Sequence, residues 1–210
     1  MPKKAGIAFV AVGAVLILSA LLLFLHNDRE DQRAGQEAEK ILTALQSAIP
    51  YQPPEITAPP STKPEESLPN PEPTETEPRE MTVVEIDGYG YIGYISIPTI
   101  SVELPVMSEW DYSRLELAPC RQFGSTVTDD LVIAAHNYKS HFRYLSQLNA
   151  GDPVQFTDMD GQMITYAVAA IETLNPDEVE AVQNSGYDLV LYTCNPGGQT
   201  RIVIYCNRYK

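Results

Sequence analysis

Residues 5–25, AGIAFVAVGAVLILSALLLFL, form a run of 21 positions without a charge. Wound as a helix at about 1.5 Å per residue, the run spans roughly 30 Å, the thickness of a bilayer's hydrocarbon core. No polar face interrupts it, which argues against a core helix of a soluble domain. A cleaved leader has a shorter apolar region, about 7–15 residues, and a small-x-small cleavage site. Here the run ends in Leu-Leu-Leu-Phe-Leu and passes into HNDRED, which offers no such site. An uncleaved anchor is therefore expected. Lys3 and Lys4 precede it and the following flank is mixed and acidic. Positive residues stay on the cytoplasmic side. This places residues 1–4 in the cytoplasm as a short tail and everything after Leu25 outside the cell.

The exterior part divides by composition. Residues 26–49 carry Ile41, Leu42, Leu45 and Ile49 at helical spacing, the mark of a short amphipathic helix. They read as a juxtamembrane helical stalk. Residues 50–80 hold ten prolines in 31 positions, with Glu and Thr filling much of the rest. Too few apolar residues remain to offset the entropy of ordering. The segment is expected to be a disordered tether of up to roughly 95 Å if extended like polyproline. Residues 81–210 are long enough for one core and form the extracellular domain. The whole chain has 28 Asp and Glu against 14 Lys and Arg. That balance argues against nucleic acid as a partner, because phosphate binding needs clustered cations.

Within 81–210 the pattern is mostly strand: YIGYISIP (91–98), ISVELPV (100–106), DLVIAAH (130–136), PVQFTD (153–158), QMITYAVAAIETL (162–174), DLVLYTC (188–194) and RIVIYCN (201–207). Met159-Asp160-Gly161 between two of these is a hairpin signal. Short helical turns fit 113–117, 141–148 and 177–183. Many strands and little helix indicate a mainly β fold, a closed or nearly closed β-barrel.

Two apolar runs end on residues that can do chemistry. LVIAAH ends on His136 and LVLYTC on Cys194; the turn Asn195-Pro196-Gly197-Gly198 follows, and Arg201 opens the next run. Cysteine nucleophiles work as thiolates, and need an imidazole nearby and a donor for the oxyanion. If the first two strands lie side by side and the third folds back, His136, Cys194 and Arg201 meet at one rim without entering the core. The other thiols read differently. Cys206 lies inside an apolar strand and reads as core. Cys120 follows Pro119 in a loop with no evident role, and a Cys120–Cys206 disulfide is left open. Asp158 and Asp160 lack the remaining ligands of a calcium loop, and no zinc spacing is present, so neither metal nor cofactor is expected.

The stretches TDDLVIAAHNY (128–138) and LVLYTC…R (189–201) resemble the His-strand and the Thr-Cys…Arg pattern of the sortases, membrane-anchored cysteine transpeptidases of Gram-positive bacteria. The resemblance covers residues 91–208, with His, Cys and Arg in the family's order. It implies a barrel of about eight strands with short helices. It implies that Cys194 attacks a Leu-Pro-x-Thr-Gly-like (LPxTG-like) sorting signal, carried at the C-terminus of secreted proteins, at the Thr–Gly bond. His136 would protonate the leaving amine, and Arg201 would hydrogen-bond the substrate carbonyl and oxyanion. Thr193 would support substrate or oxyanion from beside Cys194. A thioester would then pass to an amine acceptor, from a peptidoglycan precursor or a pilin lysine.

Some features depart from the pattern. Tyr192 stands where many relatives have a small or apolar residue, and the 195–200 turn is short and glycine-rich. A second, C-terminal anchor and an upstream Asp-Pro-aromatic lid are lacking, which favours protein anchoring over pilus polymerisation of class C type. The short 173–187 segment disfavours the class B insertion. Two other readings keep the same residues: a surface cysteine protease that only hydrolyses, and an inactive barrel that binds a wall component.

Overall fold

The structure, a computed structural model, describes residues 2–50 and 80–209. The proline-rich tether expected over 50–80 lies outside the described residues except at its two ends.

The first element, α1, runs unbroken from Pro2 to Ala48 over 47 residues, about 70 Å at the helical rise. The apolar run expected as an anchor and the amphipathic stretch expected as a stalk are thus one continuous helix rather than two. No glycine pair or internal proline stands between them to break it. Among the described residues it is the one helix long and apolar enough to cross a membrane, and its apolar window buries nothing against the rest of the chain. Phe9, Leu16 and Leu22 are accordingly exposed. Beyond the apolar segment the helix docks. Asp31, Ala34, Ala38, Ile41 and Leu45 are buried. Their 3-4 spacing draws a single stripe along one face.

Among the described residues nine strands follow: β1 (Val84–Ile86), β2 (Tyr89–Ile97), β3 (Val102–Met107), β4 (Cys120–Phe123), β5 (Leu131–Ala134), β6 (Pro153–Asp158), β7 (Met163–Leu174), β8 (Leu189–Cys194) and β9 (Arg201–Arg208). Their order is β1-β2-β3-β4-β5-β8-β9-β7-β6, and β6 pairs again with β2. The pairing closes an eight-stranded barrel, with β1 added beside the start of β2. Two short helices, α2 (Tyr112–Leu115) and α3 (Val179–Gln183), sit in the connections.

Closure depends on Gly93. There β2 changes register against β3 and begins to pair with β6. Its φ is +146°, and a Cβ would lie 2.0 Å from the Thr157 carbonyl oxygen. Only glycine permits that approach.

The barrel interior is filled by inward residues such as Ile95, Ile133, Phe156, Leu191 and Ile204. A second cluster lies outside the β2–β5 wall, where Ile41 and Leu45 of α1 pack on Tyr91, Met107, Cys120 and Ala134. Cys120 is not a loop residue but the first residue of β4 and fully buried. Its strand is too short and its flanks too irregular to show as a pattern. All three cysteines are free, and Cys120 and Cys206 lie in different clusters. The 158–162 turn is a hairpin: Asp158 Oδ1 accepts from the backbone N–H of Asp160 at 3.0 Å and of Gln162 at 2.8 Å. In the expected helical stretch 141–148 only Leu145–Gln147 forms a short 3-10 turn.

Candidate active site

Three neighbouring strands carry the site. β5 and β8 run parallel, with Ala134 opposite Tyr192. Two residues further along, the same register sets His136 abreast of Cys194. Bonds on either side hold this alignment past the end of β5. Ala135 N–H donates to the Tyr192 carbonyl at 3.2 Å, and Asn137 Nδ2 donates to the Asn195 carbonyl at 3.1 Å. β9 returns antiparallel to β8, with Arg201 directly opposite Cys194. Adjacent strands lie about 4.8 Å apart, so the three residues form one row across three strands.

The row has a definite side. Leu131, Ile133 and Ala135 of the β5 segment point into the barrel core, as do Leu189 and Leu191 of β8 and Ile204 and Cys206 of β9. The alternate residues Val132, Val190, Val203 and Tyr205 pack in a cluster outside it. Side chains alternate along a strand and share a face across a paired position. His136, Cys194 and Arg201 therefore all fall on the outer face, and Cys194 and Arg201 are partly exposed.

Thr193 falls on the inner side. It is 1% exposed, and its Oγ1 donates to the Ala135 carbonyl at 2.8 Å. Its hydroxyl ties β8 to β5 immediately below the row and does not face the groove, as the expected support of substrate or oxyanion would require. The turn after Cys194 is braced by its own atoms. Asn195 N–H donates to the Thr200 carbonyl at 2.9 Å, and Asn195 Oδ1 accepts from Gln199 N at 3.0 Å. Arg201 Nη1 donates to the carbonyls of Gly198 and Thr200, both at 3.2 Å. The guanidinium is thus held at the mouth of this turn with other N–H groups still to donate.

Burial lowers the His136 imidazole from its usual value, and the negative charge of Glu116 opposes that shift. The ring stacks on Tyr138, centroids 4.7 Å apart. The other histidine of the domain differs. His141 is fully buried, neither ring nitrogen has a hydrogen-bond partner, and burial pushes its pKa down to about 4.

Beside Arg201 the outer face is roofed by the β3–β4 connection and by α3. They enclose a cavity of about 220 Å³ lined by Trp110, Tyr112, Leu174, Val179 and Arg201 among others. Tyr192 forms part of its floor, donating a hydrogen bond to Gln122. Tyr138, Asn137, Trp110 and Tyr112 were not singled out in the sequence. Their only signal was proximity to His136 or an aromatic pair in a loop. Among the described residues no group of three or more His, Cys, Asp or Glu side chains is arranged to hold a metal ion.

Residues 95–209 match the family model described as Sortase domain. A curated relative, Sortase A of Bacillus anthracis, is 29% identical over 121 residues, which cover 55% of this chain and 57% of that protein. The chain thus spans little more than half of that relative's length. Among solved structures, Sortase A from Corynebacterium diphtheriae superposes with a TM-score of 0.53 at 26% identity, covering 58% of this chain and 62% of the other. Sortase C of Streptococcus pneumoniae superposes at 0.51 with 27% identity, covering 57% and 69%.

Proposed function

Because the chain belongs to the sortase family, we propose that it is a cysteine transpeptidase, with Cys194 as nucleophile, His136 as general acid and Arg201 as oxyanion donor. The observation that carries this reading is the row itself: three chemically complementary residues in register on the outer face of adjacent strands, beside a cavity of mixed polar and apolar lining.

The chemistry follows from those positions. A sorting signal of Leu-Pro-x-Thr-Gly type lies along the outer face with its Thr carbonyl over Cys194. The cavity walled by Trp110, Tyr112 and Val179 suits an apolar side chain of that peptide. The Cys194 sulfur bonds to the Thr carbonyl carbon while the C–N bond to Gly breaks. His136 gives its proton to the departing nitrogen. Arg201 donates to the carbonyl oxygen as its charge grows, a contact strengthened by the guanidinium's charge. An amine then attacks the thioester carbonyl and gives up a proton to His136, the C–S bond breaks, and Cys194 leaves as the thiolate, so that both groups return to their starting state. The acceptor amine comes from a peptidoglycan precursor or a pilin lysine.

The location follows from α1. Lys3 and Lys4 precede the apolar segment and keep the N-terminus cytoplasmic. The barrel is then extracellular, close to the outer membrane surface, where newly exported substrates emerge.

The test uses the full chain in detergent micelles with a Leu-Pro-x-Thr-Gly peptide, with and without a glycine-based amine. Amine-capped product and a thioester mass on Cys194 are expected. Hydrolysis alone in saturating amine would make the protein a protease. No thioester with any member of a peptide library would leave a binding barrel.

A further inference from the structure

His136 lies beyond the end of β5, on a segment without regular structure. β8 and the turn after it hold the chain on either side of His136, through Ala135 and Asn137, and the loop that follows is held in addition from outside the barrel. The loop 137–143 folds back on itself. Phe142 N–H donates to the His136 carbonyl at 3.2 Å, and His141 and Arg143 N–H both donate to the Tyr138 carbonyl. The Tyr138 ring is stacked on His136 and tilted against His141, at centroid distances of 4.7 and 5.4 Å. A polar cleft of about 530 Å³ opens between α1 and the side chains of Asn137, Tyr138 and Arg143. Close packing therefore does not fix the loop on that side.

Hydrogen bonds from α1 do. Asp31 Oδ1 accepts from Ser140 N–H at 3.0 Å, and Ser140 Oγ lies 2.8 Å from Asp31 Oδ1 and 3.1 Å from the Asp31 carbonyl oxygen. Lys139 Nζ pairs with Asp28 at 3.1 Å. Asp31 is only 8% exposed, although a surface helix usually keeps its carboxylates in water. Burial raises its carboxyl, but the hydrogen bonds from Ser140 and Lys139 outweigh that and hold it below the usual value. One turn on, the helix narrows to let the loop approach. A Cβ on Gly35 would sit 3.0 Å from the Ser140 Cβ.

We propose that the juxtamembrane part of α1 belongs to the active site as a positioning element, with Asp31 gripping Ser140 so that the 137–143 loop presents His136 to Cys194. The proposal rests on the assignment of His136 above. Asp31 touches no reacting atom. It acts through Ser140, the loop backbone and the Tyr138 ring. The anchor helix thereby becomes more than a tether, because the same rigid rod that crosses the membrane sets the angle of the acid.

The test uses the full chain in micelles and four variants: Asp31→Ala, Asp31→Asn, Ser140→Ala and Lys40→Ala. Lys40 pairs with Asp87 at 2.9 Å, so its loss loosens helix docking away from the loop. The chain has three histidines, which allows each ring to be titrated by NMR. In Asp31→Ala the His136 ring loses its cover, so its pKa should rise toward the usual value of about 6.5. With a Leu-Pro-x-Thr-Gly peptide and triglycine, kcat should fall about tenfold, with KM within about twofold, because misplacement of a catalytic group costs rate rather than binding. Asp31→Asn keeps an acceptor oxygen and should recover most of both. Ser140→Ala keeps the backbone donor and should shift both less, about threefold in kcat. Lys40→Ala should change neither.

An unchanged His136 titration in both Asp31→Ala and Ser140→Ala overturns the proposal, as does an equal loss in Lys40→Ala. His136→Ala separates the two levels of argument. If that variant turns over like the parent, the site assignment fails. If it is inactive while Asp31→Ala is not, only the positioning role fails. The titration needs no turnover and stands where the peptide is not cleaved.

Discussion

The two faces of β5, β8 and β9 carry the same residue types and put them to opposite uses. On the inner face Cys206 is fully buried and its thiol is pushed up to about 12 by burial. On the outer face Cys194 is partly exposed opposite Arg201. The two histidines of the domain contrast by burial, His141 lying in the 137–143 loop and not on a strand. His141 is sealed in the interior with unpartnered nitrogens, whereas His136 stands in the outer row beside Tyr138. A thiol or imidazole surrounded by hydrocarbon is held neutral because desolvation disfavours its charged form. The same group at a rim can gain and lose a proton. Reactivity here is decided by which side of a sheet a residue points to, and that changes with a one-residue step in register.

The largest expected effect is on the outer row. Cys194→Ala should abolish thioester formation. His136→Ala should reduce kcat/KM by about 10²–10⁴-fold, the usual contribution of a general acid, and Arg201→Ala by about 10²–10³-fold, the usual cost of one oxyanion donor. Arg201→Lys should restore only part of that, because a point charge does not reproduce a planar fork. Losses below about tenfold in turnover assays would remove both residues from the mechanism. Iodoacetamide should label the native chain once, on Cys194, and label all three thiols only after denaturation. Labelling of Cys206 in the native state would erase the contrast between the faces.

The inner face should respond in stability instead. Leu191 is fully buried in the core, so Leu191→Ala should cost about 2–5 kcal/mol in urea unfolding. If the barrel survives, little should be lost in the rate of the thioester step. His141 gives a pH signature. Burial first, and the nearby His136 second, lower its pKa from 6.5 to about 4, against a smaller opposing effect of Asp31. As pH falls, the unfolded chain takes up this proton first, so the folded state loses stability from about pH 6.5 down to about pH 4. At pH 5 the loss should be about 2 kcal/mol relative to pH 7.5. His141→Phe should flatten that dependence. An unchanged urea midpoint between the two pH values in the parent chain would show that His141 is not sealed.

The smallest effect belongs to Tyr192. Removing its hydroxyl with Tyr192→Phe breaks the bond to Gln122 and should cost about 0.5–1.5 kcal/mol. A change in peptide preference without a change in stability would move Tyr192 from cavity floor to specificity residue.

Much of this was legible in the sequence. The strand boundaries of 153–158 and 188–194 follow from apolar runs cut by turn residues. Cys194 and Arg201 could be placed at one rim because only six residues separate them and a proline-glycine turn must reverse the chain between them. Other parts were not legible. β1 and β4, with three and four residues, are too short to show a period. Cys120 therefore looked like a loop residue. The stalk residues Ile41 and Leu45 showed their helical spacing, but Asp31, Ala34 and Ala38 complete the stripe with side chains that carry little hydrophobic signal. A buried aspartate in particular looks like any exposed one.

The order of the chain alone determined that an uncharged run of 21 residues must seek a bilayer or a core. It also determined that the remaining apolar runs alternate as strands, and that a thiol and an imidazole each end one. Those are local consequences of hydrophobicity and backbone period. Which strands become neighbours, which face each residue takes, and that α1 bonds to the loop after His136 were decided by tertiary structure. Such contacts join residues more than a hundred positions apart, as between Asp31 and Ser140. Their free energy comes from burial and hydrogen bonding between segments that no local stretch of sequence brings together.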